Sequence, residues 1–152
     1  MVADILDLPH QPNSFDFVIS IAVVHHLSTT ERRREAIGSI LTLLRPDGKA
    51  LIYVWALEQE SSRRGWSEGD DQDVMVPWVM KGSKKLKTTD RKAQNDQVTD
   101  QGAEDRTFHR YYHLYRRGEL EADMEAVDGE VIEAGYEKDN WWAIARRKDV
   151  ER

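Results

Sequence analysis

The chain has 152 residues, contains no cysteine and carries a formal net charge of −6, and its mean hydropathy is −0.70. Without cysteine there is neither a disulfide framework nor a thiolate metal site, which suits a reducing compartment, so we expect a cytoplasmic or nuclear protein. The negative charge argues against a globally basic nucleic-acid binder, and we expect neither a membrane span nor a signal peptide because no long apolar run occurs.

The first residues predict a short strand and then a full one. Val2 to Ile5 reads as a strand stub that Pro9 and Pro12 end. Phe15 to Ser20 is the first full strand, and it is apolar on successive residues. That pattern is typical of a strand covered on both faces, as in parallel α/β sheets.

A helix and a second strand are predicted next. Ser28 and Glu31 have the spacing of a capping box, with Ser28 as the N-cap. Apolar residues then recur at helical spacing at Ala36, Ile37, Ile40, Leu41 and Leu44. The helix therefore packs one stripe on the sheet and ends before Pro46 and Gly48. Ala50 to Trp55 forms the next buried strand, which completes a strand–helix–strand unit.

Residues 58–107 are predicted to form a long, mobile insertion, because charged and polar residues dominate and apolar periodicity is lost. Val74 to Met80 is an apolar island within it that we expect to dock. Lys81 to Lys92 is rich in lysine and arginine, and we expect it not to dock. The chain is interpreted as one partial domain over residues 1–152 that carries this insertion.

Order is expected to return at Phe108. Gly118 to Val127 reads as a short helix, and Glu130 to Tyr136 and Trp141 to Arg146 read as strands. The connection between these strands is short and rich in turn residues, so the strands are predicted to be antiparallel. A parallel sheet that ends in an antiparallel hairpin belongs to the α/β class.

Candidate cofactor-binding residues lie where strands end, because ligands of open α/β sheets bind beyond the carboxyl ends of the strands. Asp4 could accept hydrogen bonds from a nucleoside while Ile5 packs on its face, although Asp4 could equally cap a turn. Ser20, Ile21 and Ala22 end the first full strand and would allow a ligand to approach the backbone closely. Packing explains small residues at that position equally well.

Adjacent histidines provide a candidate substrate contact. His25 and His26 lie on a turn and point in different directions, so we expect one of them to be buried. His25 is a candidate for orienting an anionic or carbonyl group. No metal site is predicted, because His109 and His113 have helical spacing in a segment that reads as extended or irregular.

Three consecutive arginines occupy the first turn of the predicted helix, where the helix dipole disfavours cations. Either Arg32, Arg33 and Arg34 pair with Glu31 and Glu35 on a solvated face, or one or two of them bind a carboxylate or phosphate in the cleft. Further candidates for the same pocket wall are Arg116, Arg117, Asn140, Trp141 and Trp142. Arginine beside aromatic rings suits an unstacked base, whereas isolated tryptophans are more often core.

Four segments together resemble one known family. They are Ile19 to Arg33, Leu51 to Arg64, Arg110 to Tyr115 and Gly135 to Trp142. They resemble the fungal tRNA wobble-uridine carboxyl methyltransferases and the methyltransferase domain of the related AlkB-homologue proteins, over nearly the whole chain. The first segment alone would indicate only a generic S-adenosylmethionine-dependent methyltransferase, whereas Tyr-Tyr-His and Asp-Asn-Trp-Trp are more specific.

The resemblance implies the C-terminal part of a Rossmann-like methyltransferase sheet, with a stub of strand 3 and strands 4 to 7. It further implies S-adenosylmethionine as methyl donor, 5-carboxymethyluridine at the tRNA wobble position as substrate, and a small zinc-containing activator protein as partner. It places the cofactor at Asp4, Ile5, Ser20, Ile21 and Ala22, and the substrate at His25, Arg32, Arg33, Arg116 and Asn140.

The family's first two strands and its Gly-rich cofactor turn do not precede Asp4. We therefore expect a chain that is truncated relative to the family and impaired in binding the cofactor alone. Two alternatives stay open: a small-molecule methyltransferase of the same fold, and a non-catalytic fragment that retains partner or RNA contacts.

Overall fold

A computed structural model describes residues 3–59, 65–80 and 106–148 of the chain. The helices and strands in chain order are β1 (Phe15–Ile21), a 3₁₀ turn (Val24–His26), α1 (Thr30–Thr42), β2 (Leu44–Trp55), β3 (Asp73–Met80), β4 (Arg106–His113), α2 (Glu119–Glu125), β5 (Gly129–Glu137) and β6 (Asn140–Arg147). The chain divides into a larger compact unit, residues 1–74 with 111–152, and a smaller one, residues 75–110.

The larger unit contains a four-stranded sheet with the order β1-β2-β6-β5. β1 runs parallel to β2, and β6 is antiparallel to both β2 and β5. The predicted parallel pair and terminal antiparallel hairpin are thus confirmed. Within the described residues β1 is an edge strand, and its side chains Phe17, Ile19 and Ile21 are exposed.

The core of this unit lies where the two helices cover the sheet. The predicted stripe of α1 is buried, including Ile37 and Ile40, and α2 buries Leu120 and Met124. Full burial of each such side chain contributes roughly 1.5–3 kcal/mol to stability. Gly129 starts β5 immediately after α2, where a Cβ atom would lie 2.6 Å from the Met124 carbonyl oxygen, so only glycine fits there without a backbone shift.

Both predicted ends of α1 are wrong by one or two residues. Its N-cap is Thr29, not Ser28, and the Thr29 hydroxyl accepts a hydrogen bond from the Arg32 backbone N–H at 3.3 Å. Ser28 instead offers its carbonyl oxygen to the Tyr111 hydroxyl. At the other end the helix stops at Thr42, and Leu44 begins β2.

The predicted stub is not a strand in the part that the structure describes. Val2 lies outside the described residues, and Asp4 pairs with Asp7 in an isolated bridge that closes a turn. The Asp4 carboxylate accepts a hydrogen bond from the Leu6 backbone N–H at 3.0 Å. A side chain that bonds its own backbone in this way competes with strand pairing.

The apolar island of the insertion is part of a strand, which the sequence reading did not assign. β3 pairs with β4 in a separate two-stranded sheet, and Lys81 to Lys92 lies outside the described residues. The mobility of the insertion and the one-domain interpretation stay predictions. None of the helices in the described ranges is long and apolar enough to cross a membrane.

Candidate active site

The carboxyl end of β1 delivers a buried histidine. Ala22 takes a left-handed conformation with φ of 58° and turns the chain out of the sheet into the 3₁₀ turn. His25 is fully buried there, and His26 is only half-buried, as predicted. The Trp55 backbone N–H donates to His25 Nδ1 at 2.9 Å. Because Nδ1 accepts, the proton of the neutral ring lies on Nε2.

His25 is neutral at physiological pH. Burial, followed by the nearby charges of His26 and His113, lowers the pKa of His25 from 6.5 to about 3. Its Nε2 atom is buried without a hydrogen-bond partner among the described residues. His25 therefore carries a neutral N–H donor without a hydrogen-bond partner in the described part of the chain.

Aromatic rings surround this donor. Trp55 and Tyr112 are stacked with ring centroids 4.2 Å apart, and Tyr112 lies 5.0 Å from His25 and 4.4 Å from His26. His26 Nδ1 lies 2.9 Å from the Tyr111 carbonyl oxygen. The Tyr-Tyr-His segment thus forms the wall beside the histidine pair.

The three arginines have three different environments. Arg33 is buried, and its guanidinium donates to the Leu27 carbonyl oxygen at 3.2 Å and to the Thr30 hydroxyl at 3.0 Å. Arg34 donates to the buried Asp123 carboxylate at 2.8 Å. Arg32 is exposed.

The expected pairing of these arginines with Glu31 and Glu35 does not form ion pairs in the described residues. Carboxylates of α2 take that role for two of the three: Arg34 pairs with Asp123, and Arg33 lies 4.0 Å from Glu119. These partners offset the unfavourable position of the cations at the start of α1. Arg32 is exposed and forms no ion pair within the described ranges.

A network around His113 was missed by the sequence reading. His113 Nδ1 lies 2.8 Å from the Asp73 carboxylate and His113 Nε2 lies 2.6 Å from the Glu119 carboxylate. Both ring nitrogens of His113 thus lie within hydrogen-bond distance of a carboxylate oxygen. Gln72 donates to Glu119 at 2.6 Å, and the Tyr111 hydroxyl donates to Asp73. The network ties the chain before β3 to the Tyr-Tyr-His segment.

The network lowers the pKa of both carboxyl groups. Burial acts to raise the pKa of Glu119, but hydrogen bonds from His113 and from the Arg116 backbone N–H outweigh it. Burial likewise acts to raise the pKa of Asp73, and hydrogen bonds from Tyr111 and His113 reverse the direction. Both groups are therefore carboxylates at neutral pH. No set of three His, Asp or Glu side chains in the described ranges is arranged to hold a metal ion.

The remaining predicted substrate residues are not brought into contact with His25. Asn140 pairs with Trp55 across β2 and β6, but its side chain donates to the carbonyl oxygens of Glu137 and Lys138 and so holds the hairpin turn. Arg116 is exposed; its backbone N–H donates to the Glu119 carboxylate, and its carbonyl oxygen accepts from the Glu119 backbone N–H.

Glu58 is a further carboxylate that the sequence did not single out. It accepts hydrogen bonds from the Trp141 indole N–H at 2.9 Å and the Arg117 backbone N–H at 3.2 Å. The side chain therefore fixes Trp141 and the chain before α2 at the carboxyl end of β2. A lone glutamate after a strand carries no pattern that would single it out.

A cavity of about 620 Å³ lies along the open edge of β1. Three of the five predicted cofactor residues line it, namely Ile5, Ser20 and Ile21. Asp4 and Ala22 are not among its lining residues; the Asp4 carboxylate caps its turn, as the alternative reading had it. The Ser20 hydroxyl is buried and has no hydrogen-bond partner among the described residues. An apolar cavity with one orphaned hydroxyl fits a nucleoside-type ligand.

Comparison with known proteins assigns the chain. It is 46% identical over 147 residues to a tRNA (carboxymethyluridine(34)-5-O)-methyltransferase of Schizosaccharomyces pombe, a match that covers 97% of this chain and 63% of the relative. It is 42% identical over 189 residues to the protein of the same name from Saccharomyces cerevisiae, over 97% of this chain and 68% of the relative. The chain belongs to the tRNA (carboxymethyluridine(34)-5-O)-methyltransferase family.

Two further comparisons concern the domain type and the fold. A methyltransferase-domain family model matches residues 1–52. A crystal structure of an S-adenosylmethionine-dependent methyltransferase from Clostridium acetobutylicum superposes with a TM-score of 0.64 at 9% identity, over 98% of this chain and 64% of that one. The predicted family and the Rossmann-like fold class are confirmed. The chain spans about two thirds of the length of the curated relatives it matches.

Proposed function

We propose that the chain transfers a methyl group from S-adenosylmethionine to the carboxylate of 5-carboxymethyluridine at the tRNA wobble position. The observation that carries this proposal is the 46% identity, over 97% of the chain, to a protein named for that reaction. The match covers 63% of the relative's length, so the activity of the whole relative is proposed for this chain.

The residues at the carboxyl end of β1 suit this chemistry. A carboxylate is already an anionic nucleophile at neutral pH, so it needs alignment and exclusion of water and no general base. The neutral Nε2–H of His25 would hold one carboxylate oxygen without neutralising the nucleophile. Arg32 would attract the anionic substrate, and Arg33 would position the histidine loop through the Leu27 carbonyl oxygen. Arg116 and Asn140 would border the site from outside.

The cavity on β1 would hold the cofactor. Ile5 and Ile21 offer apolar contact for an adenine ring, and the orphaned Ser20 hydroxyl offers a hydrogen bond. S-adenosylmethionine, when bound, supplies an electrophilic methyl group on a sulfonium. Asp4 and Ala22 stay candidates for the rim of this site.

The partners proposed are a tRNA substrate and a small zinc-containing activator protein, and the family resemblance supports both. The location proposed is the cytoplasm, with the nucleus as the alternative. The absence of cysteine from the sequence is compatible with either reducing compartment.

The test is a methyl-transfer assay with radiolabelled S-adenosylmethionine and synthetic tRNA that carries 5-carboxymethyluridine at the wobble position. The chain is assayed alone, with the activator protein, and as a chimera that replaces the matching segment of the fission yeast relative. We expect label in the methyl ester of the chimera's product and none on tRNA with unmodified uridine. Free 5-carboxymethyluridine as substrate separates the small-molecule alternative. Absence of product from a folded chimera would contradict the proposal.

A further inference from the structure

The smaller unit presents an exposed aromatic face on its two-stranded sheet. Residues two apart in a strand share a face, so Phe108 and Arg110 of β4 point to the same side. Both meet Trp78 of β3: the Trp78 and Phe108 ring centroids lie 6.1 Å apart, and the Arg110 guanidinium carbon lies 4.4 Å from the Trp78 centroid. Trp78 is 41% exposed and Phe108 45% exposed. We call Trp78, Phe108 and Arg110 the aromatic face.

The charge around the aromatic face is opposite in sign to the charge of the chain. The described residues of this unit include Arg106, His109 and Arg110 and no aspartate or glutamate, although the whole chain carries a formal net charge of −6. A local basic patch on an acidic protein attracts a polyanion to that surface.

The chemistry of the aromatic face selects unpaired bases. Aromatic rings and the planar guanidinium of arginine stack on the faces of bases that are free of a duplex. Arginine and tryptophan also occur in protein interfaces, but the described residues of this unit carry cations and no carboxylate, which matches a polyanion. Single-stranded nucleic acid therefore supplies both bases that stack on the rings and phosphates that pair with the cations.

We infer that the aromatic face binds single-stranded RNA, with unpaired bases of the tRNA anticodon loop stacked on Trp78 and Phe108 and backbone phosphates drawn to Arg106 and Arg110. The inference rests on the proposed function for the identity of the RNA. It adds a docking surface for the substrate built from residues other than those around His25 and those that line the cavity on β1.

The experiment measures binding of a fluorescent anticodon stem-loop RNA by anisotropy, without S-adenosylmethionine. Trp78→Ala is expected to weaken binding about 5- to 150-fold, the range for loss of stacking on one base. Val79→Ala is the matched control, since Val79 is exposed on the opposite face of β3, and it should bind as the wild type does. A duplex RNA of the same length should bind more weakly and be indifferent to Trp78→Ala.

Two conservative variants separate stacking from folding and from charge. Trp78→Phe keeps a ring and should recover most of the affinity. Arg110→Ala should reduce the slope of log affinity against log salt by about 0.7, the value for one phosphate contact on a single strand, while Arg110→Lys should keep the slope and lose only stacking. Circular dichroism of each variant checks that the fold is retained.

The outcomes distinguish this inference from the proposed function because binding is measured without methyl transfer. Loss of stem-loop affinity in Trp78→Ala supports the inference even if no methyl ester is formed. Equal affinities of wild type, Trp78→Ala and Phe108→Ala overturn it even if methyl transfer is observed. Self-association of the chain that Trp78→Ala abolishes would also overturn it, since a second copy would then cover the aromatic face.

Discussion

The backbone N–H of Trp55 donates a hydrogen bond to Nδ1 of His25 across 2.9 Å. This bond joins the end of β2 to the turn after β1, and it fixes the tautomer of a histidine that is buried and neutral. The Nε2–H that results is held in place before any substrate arrives. One backbone N–H thus both ties the end of β2 to the turn after β1 and determines which nitrogen of His25 carries the proton.

His25 makes stability depend on pH. Its pKa is lowered from 6.5 in the unfolded chain to about 3 in the fold, so the unfolded state binds the extra proton, and stability falls as pH drops from 6.5 towards 3. We expect the free energy of unfolding to fall by about 1–2 kcal/mol between pH 6.5 and pH 5. His25→Asn keeps an acceptor for the Trp55 N–H but cannot titrate. It should remove this pH dependence from the free energy of unfolding measured with urea. His10→Asn, at an exposed histidine, should keep the wild-type profile.

Regular periodicity accounts for the elements that the sequence predicted correctly. The stripe of α1, the buried side of α2 and the β5–β6 hairpin all follow from local patterns. The N-cap was predicted one residue early, at Ser28, because Ser28 and Glu31 have the spacing of a capping box, whereas the Thr29 hydroxyl accepts from the Arg32 backbone N–H. β3 was missed because its partner β4 is distant in sequence and Pro77 interrupts the strand pattern.

The candidate site was predictable only where one strand end supplied it. Ser20 and Ile21 end β1 and line the cavity, and His25 lies on the turn after this strand. The His113 network joins residues from three separate stretches, and Asp73 lies in a polar segment without any pattern. Long-range assembly of that kind leaves no local signal.

The interactions of His113 with its two flanking carboxylates should differ in free energy. Glu119 is 26% exposed and Asp73 is 63% exposed, so solvent screens the Asp73 pair more. Double-mutant cycles with alanine at pH 7 should give a coupling free energy of about 1–3 kcal/mol for His113 with Glu119, and only about 0.2–1 kcal/mol for His113 with Asp73. The measurement is urea unfolding of the single and double variants. Equal couplings would show that exposure does not rank the pairs.

The Ser20 hydroxyl should matter for the cofactor and not for the fold. It is buried without a partner in the described ranges, so Ser20→Ala should leave the thermal midpoint unchanged or slightly raised. If the hydroxyl bonds to S-adenosylmethionine, calorimetry should show the dissociation constant rising about 2- to 10-fold. Ser14→Ala, outside the cavity lining, is the control. Identical dissociation constants for Ser20→Ala and wild type would remove Ser20 from the cofactor site.

Arg34 should stabilise the fold through its buried partner. Asp123 is 2% exposed and accepts from both Arg34 and the Tyr115 hydroxyl. Arg34→Ala leaves this carboxylate short of a donor and should lower the urea midpoint of unfolding. Glu35→Ala, at an exposed position of the same helix, should change the free energy of unfolding by less than about 0.5 kcal/mol.

Arg32 should act on the substrate without acting on the fold. Its side chain is exposed at the start of α1, so Arg32→Ala should change the unfolding free energy by no more than about 0.5 kcal/mol. Loss of a charge-assisted contact to a carboxylate or phosphate is worth about 1.5–3 kcal/mol, which is about a 10- to 100-fold fall in kcat/KM for carboxymethyluridine tRNA. The affinity for S-adenosylmethionine should be unchanged.

Steady-state kinetics of the chimera with tRNA as the varied substrate measures the Arg32 effect, and Arg34→Ala is its control below the unfolding temperature. The Arg34 guanidinium is paired with the Asp123 carboxylate. Arg34→Ala should therefore keep kcat/KM near the wild-type value once the rate is corrected for the folded fraction. Wild-type efficiency in Arg32→Ala at physiological salt would mean that Arg32 belongs to a solvated helix face. His25 and Arg116 would then be the proposed residues left to donate hydrogen bonds to the substrate carboxylate.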